Sequence, residues 1–217
     1  MNHDLQGIRV LLADDHAVVR LGFRLLLEGA GATVVGEAEN GERAVQRYAE
    51  LVPAPTLVVM DVSMPGIGGL VALERLIAWD GKARVLMLSA HHDDIVPVRA
   101  LRLGALGYLC KRAAPEEFLR AVGQVAGNRR YLDPELAAAV ALGQLSGSSN
   151  PLETLSEREL AVFIKLAEGR SVNEVAGDFC LSPSTVGTHL YNIKQKLNVQ
   201  NSAELALVAV RNGLIEA

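Results

Sequence analysis

No stretch of this sequence approaches the roughly 18 consecutive apolar residues that a membrane-spanning helix needs. The opening Met1-Asn2-His3-Asp4-Leu5-Gln6-Gly7 carries no apolar signal region either. A soluble, cytoplasmic protein with no membrane partner is expected. Cysteine is scarce: Cys110 and Cys180 lie far apart and outside any metal-ligand spacing, which argues for thiols in a reducing compartment rather than a disulfide. Aromatic residues make up only 4%, so Ala, Val and Leu must fill the core. A basic domain is also missing, since residues Leu152 to Ala217 hold six Lys and Arg against eight Asp and Glu. What the chain does have is length and apolar content: 217 residues, half of them apolar, suffice for two buried cores.

The run Leu57-Val58-Val59-Met60 reads as a strand buried on both faces, ending at Asp61 and turned by Pro65 and Gly66. Similar runs at Ile8 to Ala13, Thr33 to Ala38, Ala83 to Ser89 and Gly107 to Lys111 alternate with helical spacing. Asn40 is placed to cap the second helix, and Pro115 with Glu116 and Glu117 opens the fifth. Five strands alternating with five helices imply an α/β fold with a five-stranded, doubly wound parallel sheet over about residues 8 to 126. A further amphipathic stretch, Asp133 to Leu145, leads into Ser146-Gly147-Ser148-Ser149-Asn150-Pro151, which has the composition of a flexible linker.

Beyond the linker only helices are expected. Ser156 with Glu159, and Ser171 with Glu174, have capping-box spacing. Ser182 and Pro183 start a third helix, and a fourth runs from about Ser202 to Arg211. In the third helix Val186, Leu190, Ile193 and Leu197 form an inward stripe. The opposite face then carries Ser184, Thr188, Tyr191 and Gln195, with Gly187 and Lys194 on its flank. A short helix, a tight turn near Phe179-Cys180-Leu181 and a longer helix with a polar outer face is the helix-turn-helix pattern, whose second helix enters the major groove of double-stranded DNA.

In the first domain Asp14, Asp15, Asp61, Ser89 and Lys111 all fall at strand ends and converge on one edge of the proposed sheet, where open α/β folds place their chemistry. Three neighbouring carboxylates repel one another, and hard oxygen ligands favour Mg²⁺ as the resolution. Such a cation can orient a phosphoryl group for transfer to Asp61, with Lys111 and Ser89 pairing the phosphoryl oxygens.

The set Asp14-Asp15, Asp61, Met64-Pro65-Gly66, Ser89 and Gly107-Tyr108-Leu109-Cys110-Lys111 resembles the receiver domain of bacterial two-component response regulators. The segments Leu155-Ser156-Glu157-Arg158-Glu159, Leu181-Ser182-Pro183-Ser184-Thr185-Val186, Thr188-His189 and Lys196-Leu197 resemble the LuxR-type helix-turn-helix of the NarL/FixJ family. The Ala206 to Leu214 tail and the Met64 to Leu70 loop are most similar to its GacA/UvrY branch. The resemblance implies a receiver over residues 1–127, a linker with a helical segment over 128–151 and a DNA-binding domain over 152–217. It implies that Asp61 is the phospho-acceptor, that Asp15, Asp61 and the Ser63 carbonyl ligate Mg²⁺ with Asp14 in support, and that Ser89 and Tyr108 form the switch pair beside Lys111. It places Ser184, Thr185, Gly187, Thr188, Tyr191, Lys194 and Gln195 at the DNA. It implies a sensor histidine kinase or phosphotransfer domain as phosphodonor, RNA polymerase as a further partner, and a homodimer on phosphorylation. The sequence departs from the family at Asn173 and Gly187, where Lys is frequent.

Two other functions compete. A phosphate-monoester hydrolase would need a second catalytic carboxylate close after Asp61, and Ser63 stands in that place. The protein is therefore not expected to be an enzyme beyond its own phosphoryl transfer and dephosphorylation. A phosphorelay or docking receiver without a DNA target fits the unbasic C-terminal domain.

Overall fold

The computed structural model describes residues 4–90, 95–133, 137, 151–179, 181–212 and 214–215. The expected helical stretch from Asp133 to Leu145, the Ser146 to Asn150 linker, Cys180 and Gly213 lie wholly or largely outside them. Two compact units are present, one built on a sheet and one helical.

Along the chain up to residue 126, strands β1 (Arg9–Ala13), β2 (Thr33–Ala38), β3 (Leu57–Asp61), β4 (Val85–Ser89) and β5 (Gly107–Cys110) alternate with helices α1 (Ala17–Gly29), α2 (Gly41–Glu50), α3 (Gly68–Trp79), α4 (Ile95–Arg102) and α5 (Pro115–Ala126). A sixth strand, β6 (Tyr131–Leu132), joins the five expected ones and lies in the segment read as linker. It pairs in parallel with β5, Tyr131 opposite Gly107 and Leu132 opposite Tyr108. Two residues carry no periodicity, which is why the sequence alone does not reveal this strand.

The sheet order is β2-β1-β3-β4-β5-β6, all parallel. β3, β4 and β5 are buried along their whole length, as apolar runs without alternation require. Val10, Leu12, Leu57, Val59, Leu86, Leu88 and Leu109 pack with Leu27 of α1 and with Phe118, Val122 and Val125 of α5 in one continuous core. The Phe23 and Phe118 rings meet at 4.6 Å between centroids. The winding reverses between β1 and β3, so their carboxyl ends flank the crevice where doubly wound sheets bind ligands.

In the helical unit a short 3₁₀ turn (Pro151–Thr154) precedes α6 (Glu157–Ala167), α7 (Val172–Asp178), α8 (Pro183–Leu197) and α9 (Ser202–Arg211). Each start is fixed by its own side chain. Ser156 and Ser171 close the two expected capping boxes, Ser182 accepts from the Thr185 amide with Pro183 behind it, and Asn201 accepts from the Glu204 amide. The helices enclose Leu160, Phe163, Val175, Phe179, Val186, Ile193, Leu197, Leu205 and Ala209. No helix among the described residues is long and apolar enough to cross a membrane.

One ion pair ties α6 to α8: Lys196 Nζ lies 2.6 Å from Oε2 of the buried Glu159. Burial pushes the Glu159 carboxyl up, but Lys196 and the Ser156 amide outweigh it and hold the group below the usual carboxylate range. Because the folded value is the lower one, the pair stabilises the domain fully above the unfolded value of about 4.3 and loses that contribution as pH falls through the folded value. Lys196→Met should therefore weaken hydrogen-exchange protection of the α6 amides at neutral pH, and the gap to wild type should close on acidification below about pH 4.3. A gap that persists in acid would mean that Lys196 acts through its apolar stem.

Candidate functional site

Register brings the site together. Ala13 lies opposite Met60, Asp61 opposite Leu88 and Ser89 opposite Cys110, so the four central strands end in step. Asp14, Asp61, Ser89 and Lys111 therefore stand side by side on one edge. Asp14, Asp15, His16 and Asp61 each present a ligand atom, all within 4.8 Å of one another. Asp14 and Asp61 are each 1% exposed, whereas the Asp15 side chain retains 27%. The pocket is closed at its floor and open on the Asp15 side.

Lys111 reaches into this pocket from the end of β5. Its Nζ lies 2.6 Å from Asp14 Oδ2 and 2.8 Å from Asp61 Oδ2. Burial raises the Asp61 carboxyl above its ordinary range, with Lys111 opposing that rise. Burial also works to lower the Lys111 ammonium, but attraction to Asp61 and the hydrogen bond to Asp14 outweigh it, and the group is raised. The two shifts favour opposite states of the pair, neutral acid against charged ammonium. The short contacts to both carboxylates decide for the charged pair. Three carboxylates against one ammonium still leave an excess of two negative charges, which matches a divalent cation bound by oxygen.

The loop after β3 is held tightly. The Ser63 amide donates to Asp61 Oδ1 at 3.2 Å, and the Gly69 amide to the Val62 carbonyl at 2.9 Å. A Cβ on Gly69 would collide with the Asp61 carbonyl, so only glycine lets α3 start this close to the acid. Ser89 and Tyr108, the expected switch pair, are both buried, at 2% and 1% exposure.

Sequence reasoning passed over two residues of this site. His16 Nδ1 lies 2.8 Å from Asp15 Oδ1. Arg20, one turn into α1, donates through Nη1 to the Asp14 carbonyl at 2.6 Å and through Nε to Glu37 Oε2 at 2.8 Å. Its position four residues after His16 was the available signal, because that spacing returns a side chain to the start of its helix.

On α8, Val186, Ile193 and Leu197 are buried and Leu190 is half-buried, while Ser184, Thr188, Tyr191 and Gln195 are exposed. Thr185, Gly187 and Lys194 lie between the two faces. The Thr188 hydroxyl donates to the Ser184 carbonyl at 3.1 Å, and Lys194 Nζ to the Gln200 carbonyl at 2.9 Å. The outer face is thus polar and solvated, with Lys194 on its flank resting on the turn into α9.

A carboxylate pocket at the winding reversal of a parallel sheet, on one chain with a capped helix-turn-helix, defines a two-component response regulator with a receiver and a LuxR-type DNA-binding domain. Comparison with known families agrees: residues 10–123 match the response regulator receiver domain, and residues 153–209 match the bacterial regulatory proteins of the luxR family. The chain belongs to this family. It is similar to response regulator GacA of Pseudomonas aeruginosa, at 39% identity over 97% of this chain and 99% of that protein. It is likewise similar to response regulator UvrY of Escherichia coli, at 40% identity over 97% of each. Among solved structures, a LuxR-family two-component response regulator from Aurantimonas sp. matches with 36% identity and a TM-score of 0.60, covering 63% of this chain and 97% of that one.

Lys111→Met would leave Asp14 and Asp61 buried face to face without their cation. The receiver should lose roughly 3 kcal/mol of stability. Urea unfolding followed through Trp79, the single tryptophan, reads this loss. An unchanged midpoint would mean that the two carboxyl groups share a proton and do not need the ammonium.

Proposed function

We propose that this protein is a cytoplasmic transcription regulator switched by phosphorylation of Asp61, with a sensor histidine kinase or a phosphotransfer domain as donor. The observation that carries the reading is Lys111 Nζ bridging Asp14 and Asp61 at 2.6 and 2.8 Å on an edge where the strands end in register. In the transfer, an Asp61 carboxylate oxygen forms a bond to phosphorus while the phosphorus–nitrogen bond of the donor histidine breaks, and the imidazole leaves with the electron pair. Water attack at phosphorus later breaks the acyl phosphate's P–O bond, releasing inorganic phosphate and returning the free carboxylate. The Ser63 amide, on Asp61 Oδ1, orients the carboxylate for attack.

Asp14, Asp15, Asp61 and the Ser63 carbonyl would hold Mg²⁺, which when bound offsets the charge of the phosphoryl oxygens. Lys111 moves from the two carboxylates to a phosphoryl oxygen, Ser89 donates to another, and the buried Tyr108 ring fills the space behind Ser89. The added charge, about −1.5 to −2, biases this surface toward its active arrangement. The receiver (residues 1–127) passes the signal through residues 128–151 to the DNA-binding domain (152–217), and phosphorylation favours a homodimer. Two weak half-site contacts then gain through effective concentration what each lacks alone. RNA polymerase is the partner of the promoter-bound form.

Incubation with acetyl phosphate and Mg²⁺ should add one phosphoryl group by intact mass, and Asp61→Asn should abolish it. Addition to the Asn variant would move the acceptor elsewhere.

On DNA, Ser184, Thr185, Gly187, Thr188, Tyr191 and Gln195 face the major groove, while Lys194 reaches a phosphate. Thr188→Ala should cost about 1 to 3 kcal/mol on the preferred duplex and little on random DNA. Lys194→Ala should weaken both alike and lower the salt slope by roughly one. Titrations on both duplexes at several salt concentrations separate the two. Equal loss on both duplexes for Thr188→Ala would shift specificity to DNA shape or half-site spacing, and no binding to any duplex would favour a phosphorelay protein.

A further inference from the structure

The loop that carries Ser63 is gripped from outside the pocket by a residue with no part in the chemistry. Glu42, in the first turn of α2, accepts the Ile67 amide on Oε1 at 3.0 Å, across 25 positions of sequence. Gly66, one residue earlier, has φ +77°, and a Cβ there would overlap the Glu42 carboxylate. Gly41, beside Glu42, is packed so closely that a Cβ would lie 2.7 Å from both the Gly68 carbonyl oxygen and Ile67 Cγ1. The N-terminus of α2 is itself anchored, because Asn40 Oδ1 accepts the Arg43 amide at 2.8 Å. The loop is therefore clamped at both ends. Gly69 stacks against the Asp61 carbonyl on one side, and Glu42 holds Ile67 on the other.

We infer that Glu42 is a positioning residue for the phosphorylation site: it fixes the β3–α3 loop so that the Ser63 backbone stays beside Asp61, ready for the divalent cation. The inference rests on the reading of Asp14, Asp15, Asp61 and Ser63 as a Mg²⁺ site. Without the Glu42 oxygen the Ile67 amide turns to water, and Gly66 and Gly68, both at positive φ, leave the loop several backbone alternatives. Ordering those alternatives then falls to cation binding, which weakens in proportion.

The test uses the full chain with calorimetric Mg²⁺ titration, together with hydrogen exchange at the Ile67 amide in metal-free protein. Glu42→Ala should raise the Mg²⁺ Kd roughly three- to tenfold, the worth of one such hydrogen bond, and speed Ile67 exchange. Glu42→Gln keeps an acceptor oxygen and should stay within about twofold of wild type in both measurements. Glu39→Ala removes a neighbouring exposed charge and should change neither. A wild-type Kd in Glu42→Ala overturns the inference. So does a Gln variant as weak as Ala, or a Glu39 variant as weak as either, since each would reveal a diffuse charge effect in place of a hydrogen-bonded hold. Wild-type protein that takes up no Mg²⁺ would instead overturn the reading of the metal site itself.

Discussion

The receiver depends on one ammonium set between two carboxylates that water cannot reach. Asp14 and Asp61 are buried where a lone ionised carboxylate would be very costly, and Lys111 makes their charge tolerable by standing within hydrogen-bond distance of both. The arrangement is neutralised only in part, which is what makes it useful. A fully balanced pocket would have no reason to admit a cation, and an unbalanced one without Lys111 would resist folding. Arg20 and Ser63 hold the two acids in place, Arg20 through the backbone carbonyl of Asp14 and the Ser63 amide through a carboxylate oxygen of Asp61. The neighbouring loop, held by Gly69 within and Glu42 without, extends that order to the rim.

Much of this was legible in the sequence, for a physical reason. The central strands are buried on both faces, so they appear as unbroken Val, Leu and Met runs, and each run stops at a polar residue because the carboxyl ends of the strands line the buried charged pocket. Asp61, Ser89 and Lys111 thus fall on one edge from the sequence alone. What escaped was whatever depends on approach in three dimensions. Beyond their spacing, His16 and Arg20 carry no signal of their own in the sequence, and only the fold brings them to Asp15 and to the Asp14 carbonyl. Glu42 lies in the first turn of α2, and its grip on Ile67 needs the α2 and α3 starts to lie side by side. Strand β6 escaped because its two residues have no pattern to read.

The helical unit was legible at finer grain, since its helices begin where short-range chemistry says they must. Ser156 with Glu159 and Ser171 with Glu174 act within a single turn, so their spacing in sequence is already their geometry. The Lys196 to Glu159 bond spans 37 positions and has no such signature. It recruits a capping-box acid to a second purpose, joining the helix that starts the domain to the one that faces outward.

Pro183 and Ser182 fix the first turn of α8, and its buried stripe fixes the rotation. The exposed residues Ser184, Thr188, Tyr191 and Gln195 therefore form a largely replaceable set: none of them fills the core, and of the four only Ser184 touches the N-cap, its hydroxyl 2.8 Å from that of Ser182. Duplicated copies of such a chain can drift at these positions, changing the outer face while keeping one fold. A single inserted residue ahead of Val186 would do the reverse. It would turn the whole face by about 100° and carry the stripe into water, so evolution can rewrite the letters of this helix but not its phase.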